Sequence, residues 1–216
     1  MAEGPDSFLD KWRARWPEWT LAEVFLPRER RQSSLAWLAL RQELLDAAWG
    51  GSDPRPGEAK LGWWQEELQA WHGGMRRHPL GTVLQPRAAP WERLGASLPF
   101  LAATRGQPAL ARLRPFAEAV AAVSAALAPG AALPGWEQVA HGLAAQRLLG
   151  GTAGEDAGPD PASRLRAWPR DATLPLPDRL FHALLRERLR VAAGGAEGPP
   201  TRIRSLLAAW RAARGT

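Results

Sequence analysis

The chain has 216 residues, which fits one domain that buries roughly 70% of the surface of its unfolded chain. It contains no cysteine, which excludes disulfides, thiolate metal ligands and cysteine nucleophiles. The formal net charge is +6, and only Lys11 and Lys60 are lysines, so 26 of the 28 basic residues are arginines. These arginines form no long basic block with interleaved aromatic residues, so we do not expect nucleic acid as a partner.

The sequence carries no signal for insertion into a membrane. No apolar run approaches the ~20 residues that a membrane span requires. The first residues, MAEGPDSFLDKW, are acidic and lack a hydrophobic signal region. We therefore expect a cytoplasmic protein.

Apolar periodicity predicts helices and almost no strands, because alternating runs of β-branched residues are absent. In chain order, the predicted helices cover residues 7–16, 28–49, 58–71, 90–104, 113–127, 136–149, 178–193 and 201–214. Pro99 should kink or end the fourth of these helices. Residues 150–177 are rich in turn-forming residues and predict a long loop with one short helix near 162–168. The whole chain, 1–216, is thus predicted to be one all-α domain of about seven or eight helices.

Residues 58–84 form the most informative stretch, in which an amphipathic helix is followed by a glycine stop and a His-Pro restart. Four apolar residues recur at helical spacing and predict a stripe that faces the core: Leu61, Trp64, Leu68 and Trp71. Gly73 and Gly74 should end the helix by allowing positive φ, and Pro79 favours the first turn of another helix. The stretch predicts an αα-hairpin.

This stretch also resembles a block of the squalene and phytoene synthase family, in which a Lys-Leu-x-Trp-Trp-x-x-Glu-Leu helix precedes a glycine turn and His-Pro. The matching residues are Lys60, Leu61, Trp63, Trp64, Glu67, Leu68, Gly73, Gly74, His78 and Pro79. Two further strings resemble the lead-ins to the family's two catalytic helices: Phe25-Leu26-Pro27 with Arg31, and Gly142-Leu143-Ala144-Ala145-Gln146. The resemblance is strongest over residues 20–85 and implies a helical bundle of the isoprenoid-synthase type.

In active members of that family, each catalytic helix carries two aspartates four residues apart, so that both carboxylates share one helix face and hold Mg²⁺-diphosphate. Counted from the two lead-ins, the expected ligand positions are Leu45, Trp49, Ala153 and Ala157, and none of these side chains can bind a metal. Carboxylates remain nearby as vestigial or noncanonical candidates: Glu43, Asp46, Glu155 and Asp156. The simpler interpretation makes Glu43 and Asp46 paired or solvated helix residues and Asp156 a loop residue.

The resemblance also indicates residues that could line a ligand cavity: Trp63, Trp64, Glu67 and Gln146. The alternative is that both tryptophans are core or edge aromatics and that Gln146 is a buried hydrogen-bonding residue. The four histidines, at 72, 78, 141 and 182, lack metal-ligand spacing. We interpret His78 as the cap of a turn and not as a catalytic residue.

Three functional hypotheses follow. The first is a catalytically degenerate family member that binds an isoprenoid, another lipid or a protein partner; the family includes a non-catalytic assembly factor of a mitochondrial respiratory complex. The second is an active prenyl transferase that condenses prenyl diphosphates head to head and requires Mg²⁺, whereas the first needs no cofactor. The third is a basic module that contacts nucleic acid or an anionic membrane surface.

The predicted helix 201–214 is the best candidate for peripheral contact with a membrane. Its apolar residues fall on one side, and arginines surround them: Ile203, Leu206, Leu207 and Trp210, then Arg202, Arg204, Arg211 and Arg214. The interpretation that the pattern favours is a core helix whose arginines extend to solvent.

Overall fold

The computed structural model describes residues 4–106, 109–150, 160–169, 173–196 and 198–215. Across these ranges the chain is helical and has no strand, which confirms the predicted all-α class. The α-helices of the described residues are α1 Pro5–Arg15, α2 Trp19–Ala22, α3 Arg28–Trp49, α4 Arg55–His72, α5 Gly81–Leu84, α6 Trp91–Ala96, α7 Leu98–Ala102, α8 Arg114–Leu127, α9 Trp136–Leu149, α10 Pro161–Arg166, α11 Leu176–Ala193 and α12 Arg202–Arg214. Short 3-10 turns cover Glu23–Phe25 and Leu110–Leu113.

The number of helices in the described residues exceeds the predicted seven or eight because several are single turns. The helix predicted over 90–104 is divided into α6 and α7. Pro99 lies in the first turn of α7, where a missing backbone N–H costs little, so it begins a helix there and does not kink one. The restart after Pro79 is the single turn α5, so the predicted αα-hairpin has one long and one very short arm.

Helix α3 is the centre of the bundle and is buried along most of its length from Ser33 to Trp49. Helices α1, α4, α5 and α7 pack around it. Its lead-in is fixed by Arg31, whose guanidinium donates to the carbonyl oxygens of Leu26 at 3.1 Å and Val24 at 3.2 Å. The Phe-Leu-Pro lead-in therefore has a structural role in starting α3.

The stripe predicted on α4 is confirmed, since Leu61, Trp64, Leu68 and Trp71 are all buried. Near its start, Gly57 permits α4 to approach α3 closely, because a Cβ there would lie 2.1 Å from the carbonyl oxygen of Ala47. At its end only Gly74 has a positive φ, of 80°, while Gly73 has φ −81°. The expectation of positive φ thus holds for one of the two glycines.

Aromatic rings connect the first two helices to α11. Trp12 contacts Trp19 edge-on at 5.5 Å between ring centroids, and Trp16 contacts Phe181 in the same way at 5.0 Å. Such edge-to-face pairs stabilise a core beyond the area they bury. The cluster holds α1 and α2 against α11.

Polar contacts also fix α11 against the rest of the bundle. Arg41 of α3 forms a buried ion pair with Asp178. Gly142 lets α9 pack closely on α11, since a Cβ at this position would lie 2.2 Å from Nε2 of His182. Helix α12 packs on α11, on α2 and on the turn Glu23–Phe25.

In the described residues, no helix combines the length and the apolar character that a membrane span requires.

Candidate functional site

The family resemblance predicts a first pair of metal ligands. The two positions of this pair lie in the core. Leu45 and Trp49 are both buried, and the indole N–H of Trp49 donates to Thr104 Oγ1 at 2.9 Å. Mg²⁺ requires oxygen ligands, so these side chains do not fit it. The remaining predicted positions lie outside the described residues: Ala153, Glu155, Asp156 and Ala157.

Glu43, the first vestigial candidate, is buried and neutralised by two lysines. Its carboxylate accepts hydrogen bonds from Lys11 at 2.9 Å and from Lys60 at 2.6 Å. Burial opposes ionisation, but the hydrogen bonds from Lys60 and Lys11 outweigh it and lower the pKa of Glu43. Lys60, the first residue of the family-like block, therefore pairs with a carboxylate of α3.

Asp46, the second vestigial candidate, is paired on the surface of α3. It accepts hydrogen bonds from Arg15 at 3.2 Å and from the amide of Gln42 at 2.8 Å. Beside it lies a cavity of about 390 Å³, which we call the Asp46 cavity. Among the described residues, three cationic side chains and one carboxylate line it: Lys11, Arg15, Arg188 and Asp46.

Each cation of the Asp46 cavity already has an anionic partner. Lys11 pairs with Glu43, and Arg15 pairs with Asp46. Arg188 pairs with Glu18, donates to the carbonyl oxygen of Arg15 at 2.7 Å and stacks 4.0 Å above the ring of Trp16. A single carboxylate among three cations does not suit Mg²⁺. Within the described ranges, no group of three or more His, Asp or Glu residues is placed to hold a metal ion.

The space between α3 and α9 is nearly filled. Gln146 is buried, as predicted, and its amide donates to the carbonyl oxygen of Gly142 at 3.4 Å. Together with Leu45, Asp46 and Trp49 it borders a void of only about 10 Å³. A void of this size is at the lower limit for one water molecule.

Glu67 organises the turn that follows α4. Its fully buried carboxylate accepts hydrogen bonds from the backbone N–H of Arg77 at 2.7 Å, from that of His78 at 2.8 Å and from the indole of Trp71 at 2.9 Å. Burial opposes ionisation, but the hydrogen bonds from the His78 and Arg77 backbone outweigh it and lower the pKa of Glu67. The acceptor sites of Glu67 are therefore used within the chain.

His78 caps its turn, as predicted. Its Nδ1 accepts a hydrogen bond from the backbone N–H of Leu80 at 3.1 Å, and its ring lies 4.4 Å from that of Trp64, centroid to centroid. Burial lowers the pKa of His78 to about 4, so the imidazole is neutral at pH 7. Trp64 is fully buried, whereas Trp63 is half-buried under the guanidinium of Arg77, 5.2 Å from its ring. The family-like block thus packs as one structural unit.

Helix α12 presents an apolar row to solvent. Ile203 is 73% exposed, and Leu206, Leu207 and Trp210 are each 44% exposed. The interpretation of this helix as a core helix with extended arginines is therefore wrong. The opposite side of the helix packs through small residues: Ser205, Ala208 and Ala209. Small side chains allow close packing on α11, and this leaves the large apolar side chains on the outside.

Arginines flank the apolar row on both sides. At about 100° per residue, Arg204 and Arg211 fall on one side of the row and Arg202 on the other. Arg214 lies at its end, with the guanidinium 5.0 Å from the ring of Trp210. The result is an exposed amphipathic face with a cationic border.

Sequence reasoning missed the partners of the vestigial carboxylates, because Lys11 and Arg15 lie on a different helix from Glu43 and Asp46.

Comparison with protein-family models, with curated proteins and with solved structures finds no match. The resemblance to the squalene and phytoene synthase family stays a prediction.

Proposed function

We propose that this chain is a non-catalytic protein of the squalene and phytoene synthase type that attaches to an anionic lipid surface through α12. The observation that carries the proposal is the exposed row of Ile203, Leu206, Leu207 and Trp210 with its arginine border. Membrane-surface helices combine these features, because apolar side chains enter the acyl boundary while arginines contact anionic headgroups.

A non-catalytic role is supported by the residues at the expected metal positions. Leu45 and Trp49 are packed in the core, and the neighbouring carboxylates Glu43 and Asp46 are held in ion pairs. The alternative, an active prenyl transferase, requires carboxylates that are free to hold Mg²⁺-diphosphate. Incubation with Mg²⁺ and farnesyl or geranylgeranyl diphosphate should release no pyrophosphate. Release that disappears in Asp46→Ala would overturn the non-catalytic assignment.

A lipid surface fits the face of α12 better than a protein groove does, because the charges border the row on both sides and extend to its end. Arg202 and Arg204 lie near the start of the helix, and Arg211 and Arg214 near its end. Attraction to anionic lipid adds to the free energy of apolar burial, by about 1 kcal/mol for each basic residue near the surface.

The test is co-sedimentation with vesicles of phosphatidylglycerol and phosphatidylcholine at low salt. The full chain should bind the anionic vesicles and bind pure phosphatidylcholine weakly. The double substitution Leu206→Ser/Leu207→Ser should lower the partition coefficient at least about tenfold, since it removes apolar area worth more than about 1.4 kcal/mol.

A matched control removes exposed apolar side chains elsewhere. Met75 and Leu133 are 68% and 65% exposed, and neither belongs to α12. Met75→Ser/Leu133→Ser should therefore bind vesicles as the wild type does. Equal loss in both double variants, or no sedimentation of the wild type, would contradict the proposal. Pull-down of a protein partner that depends on Leu206 and Leu207, without vesicle binding, would assign the row to a protein interface instead.

A further inference from the structure

A second cavity, of about 500 Å³, lies between α10, α11 and α12, and we call it the arginine cleft. Arginines dominate the charged residues of its lining: Arg166, Arg179, Arg186, Arg190 and Arg211. Its lining contains one carboxylate, Glu187, which pairs with Arg190. In the described residues, the cleft therefore has a large excess of positive charge.

Two arginines of the cleft, Arg166 and Arg179, bind neutral acceptors, and Arg186 lacks an ion pair among the described residues. Arg179 donates to the carbonyl oxygen of Ala213 at 3.3 Å, and Arg166 donates to Ser163 Oγ at 2.7 Å. Arg186 forms no ion pair with a carboxylate in the part of the chain that the structure describes. Burial first, and then the charge of Arg190, lower the pKa of Arg186. The side chain of Arg186 is exposed overall, and an arginine beside a like-charged neighbour favours an anionic ligand.

Beneath these arginines, the wall of the cleft contains a buried polar group. His182 is only 5% exposed, and its Nδ1 is buried without a hydrogen-bond partner among the described residues. Its ring packs edge-on against Trp168, 5.5 Å away, which lines the same cleft. Buried polar atoms usually have partners, and His182 is a residue of the cleft lining whose Nδ1 has none among the described residues.

We infer that the arginine cleft binds a phosphate group, carried by a small phosphorylated metabolite or by a phospholipid headgroup. The planar guanidinium forms paired hydrogen bonds with phosphate oxygens, which makes arginine the preferred side chain for this group. A phosphate monoester carries up to two negative charges and offsets the repulsion among Arg179, Arg186 and Arg190. A bare carboxylate offers less charge and fewer acceptor sites to the same set of donors.

Phosphate binding in the cleft does not depend on the attachment of α12 to a membrane, so a soluble phosphate tests the cleft without vesicles. Arg211 borders both the apolar row and the cleft, so a headgroup could reach the cleft from the surface on which α12 lies. The two sources of the phosphate group can therefore be separated by experiment.

The experiment is calorimetric titration of the full chain with inorganic phosphate and with glycerol 3-phosphate at low salt. We expect binding in the micromolar to millimolar range for the wild type. Arg186→Gln should weaken the affinity at least about tenfold, and Arg186→Lys should fall between the two because lysine keeps the charge but not the planar donors. Arg87→Gln is the matched control, since Arg87 is exposed before α6 and does not line the cleft. It should leave the affinity unchanged.

A second experiment, with vesicles, then identifies the source of the phosphate group. Phosphatidic acid exposes a phosphate monoester, while phosphatidylglycerol at matched surface charge exposes a diester. Preference for phosphatidic acid that is lost in Arg186→Gln assigns the cleft to a headgroup. Solution binding without such a preference assigns it to a soluble metabolite. The apolar-row variant Leu206→Ser/Leu207→Ser should keep its affinity for glycerol 3-phosphate in either case.

Three results would overturn the inference. The first is no heat of binding with either phosphate probe. The second is equal affinity in the wild type and in Arg186→Gln, provided that circular dichroism shows both to be folded. The third is binding of an oligonucleotide that glycerol 3-phosphate does not displace. The salt dependence of that binding would indicate that the protein neutralises several phosphates of the oligonucleotide.

Discussion

Arg186 and Arg188 are two residues apart on α11 and lie about 200° apart around the helix, so they face different cavities. Arg188 borders the Asp46 cavity, where it pairs with Glu18 and stacks on Trp16. Arg186 borders the arginine cleft, without an ion pair in the described part of the chain. Arg188 therefore belongs to the internal ion pairs of the fold, whereas Arg186, on another face of α11, is available for binding.

The number of arginines around a cavity therefore does not by itself identify a binding site. The Asp46 cavity contains three cations, but each is neutralised by a carboxylate of the chain. Among the residues that the structure describes, the lining of the arginine cleft contains five arginines and one carboxylate. Neutralisation within the chain stabilises the fold, whereas charge left without a partner lowers stability and favours an external anion.

The different roles of Arg188 and Arg186 can be tested by replacing each of them in turn. Arg188→Gln leaves the buried carboxylate of Glu18 without its partner and should lower the free energy of unfolding by about 3 kcal/mol. Arg186→Gln should change it by less than about 0.5 kcal/mol, because no ion pair is broken. Equilibrium denaturation in urea measures both. Similar losses in the two variants would show that Arg186 also has an internal structural role.

A smaller effect is expected at Gly142, which lets His182 lie between α9 and the arginine cleft. In Gly142→Ala the new methyl group would meet the imidazole, because Nε2 of His182 lies 2.2 Å from the position that the methyl carbon would take. The overpacking should cost about 2 kcal/mol. The displaced imidazole should also weaken binding of glycerol 3-phosphate. Thermal denaturation and calorimetric titration check the two expectations.

The control for Gly142 is Gly62, an exposed glycine within α4 where an added Cβ meets nothing within 4 Å. Gly62→Ala should raise the free energy of unfolding by roughly 0.5–1 kcal/mol, because alanine favours the helix more than glycine does. It should leave phosphate binding unchanged. Stabilisation by Gly142→Ala would contradict the close packing of α9 on α11.

A further expected effect concerns pH. Burial, and then the charges of Arg41, Arg186 and His141, lower the pKa of His182 to about 3. The unfolded chain takes up a proton at this residue below pH about 6.5, whereas the folded chain does not, so stability is lost as pH falls from 7 towards the folded pKa. Between about pH 7 and pH 5.5 we expect a loss of about 1 kcal/mol from His182.

Denaturation in urea at both pH values, for the wild type and for His182→Gln, isolates this contribution from those of the other histidines. The variant should lose less stability than the wild type on acidification. Bound phosphate should reduce the loss in the wild type, because a nearby anion favours the protonated imidazole. An identical loss in the wild type and the variant would show that the pKa of His182 is the same in the folded and the unfolded chain.

Much of the fold can be predicted because it depends on local patterns. The stripe of Leu61, Trp64, Leu68 and Trp71 repeats at helical spacing and is buried as expected. Helix α9 has the predicted bounds, Trp136–Leu149, because glycines flank it on both sides. The division at Pro99 is harder to predict, since a proline can either kink a helix or begin another one.

The candidate sites are less predictable because they depend on contacts between distant residues. Glu18 and Arg188 are separated by 170 positions, and Arg41 and Asp178 by 137, so no local pattern shows which arginines are neutralised. Arg179, Arg186 and Arg190 recur at spacings of seven and four on one face of α11, which is the available signal for the cleft. The orientation of α12 does not follow from its pattern, because a helix with one large apolar side and one side of small residues can pack through either.

The exposed position of Trp210 also divides the intrinsic fluorescence of the protein into two populations. Of the twelve tryptophans, all within the described residues, Trp210 is the one that is exposed, at 44%, and the others are buried or half-buried. Emission at the long-wavelength edge of the spectrum should come mostly from the solvated indole of Trp210, because a solvated indole emits further to the red than a buried one. A blue shift of that emission would report directly when α12 leaves water, while the eleven remaining indoles provide an internal reference for an intact core.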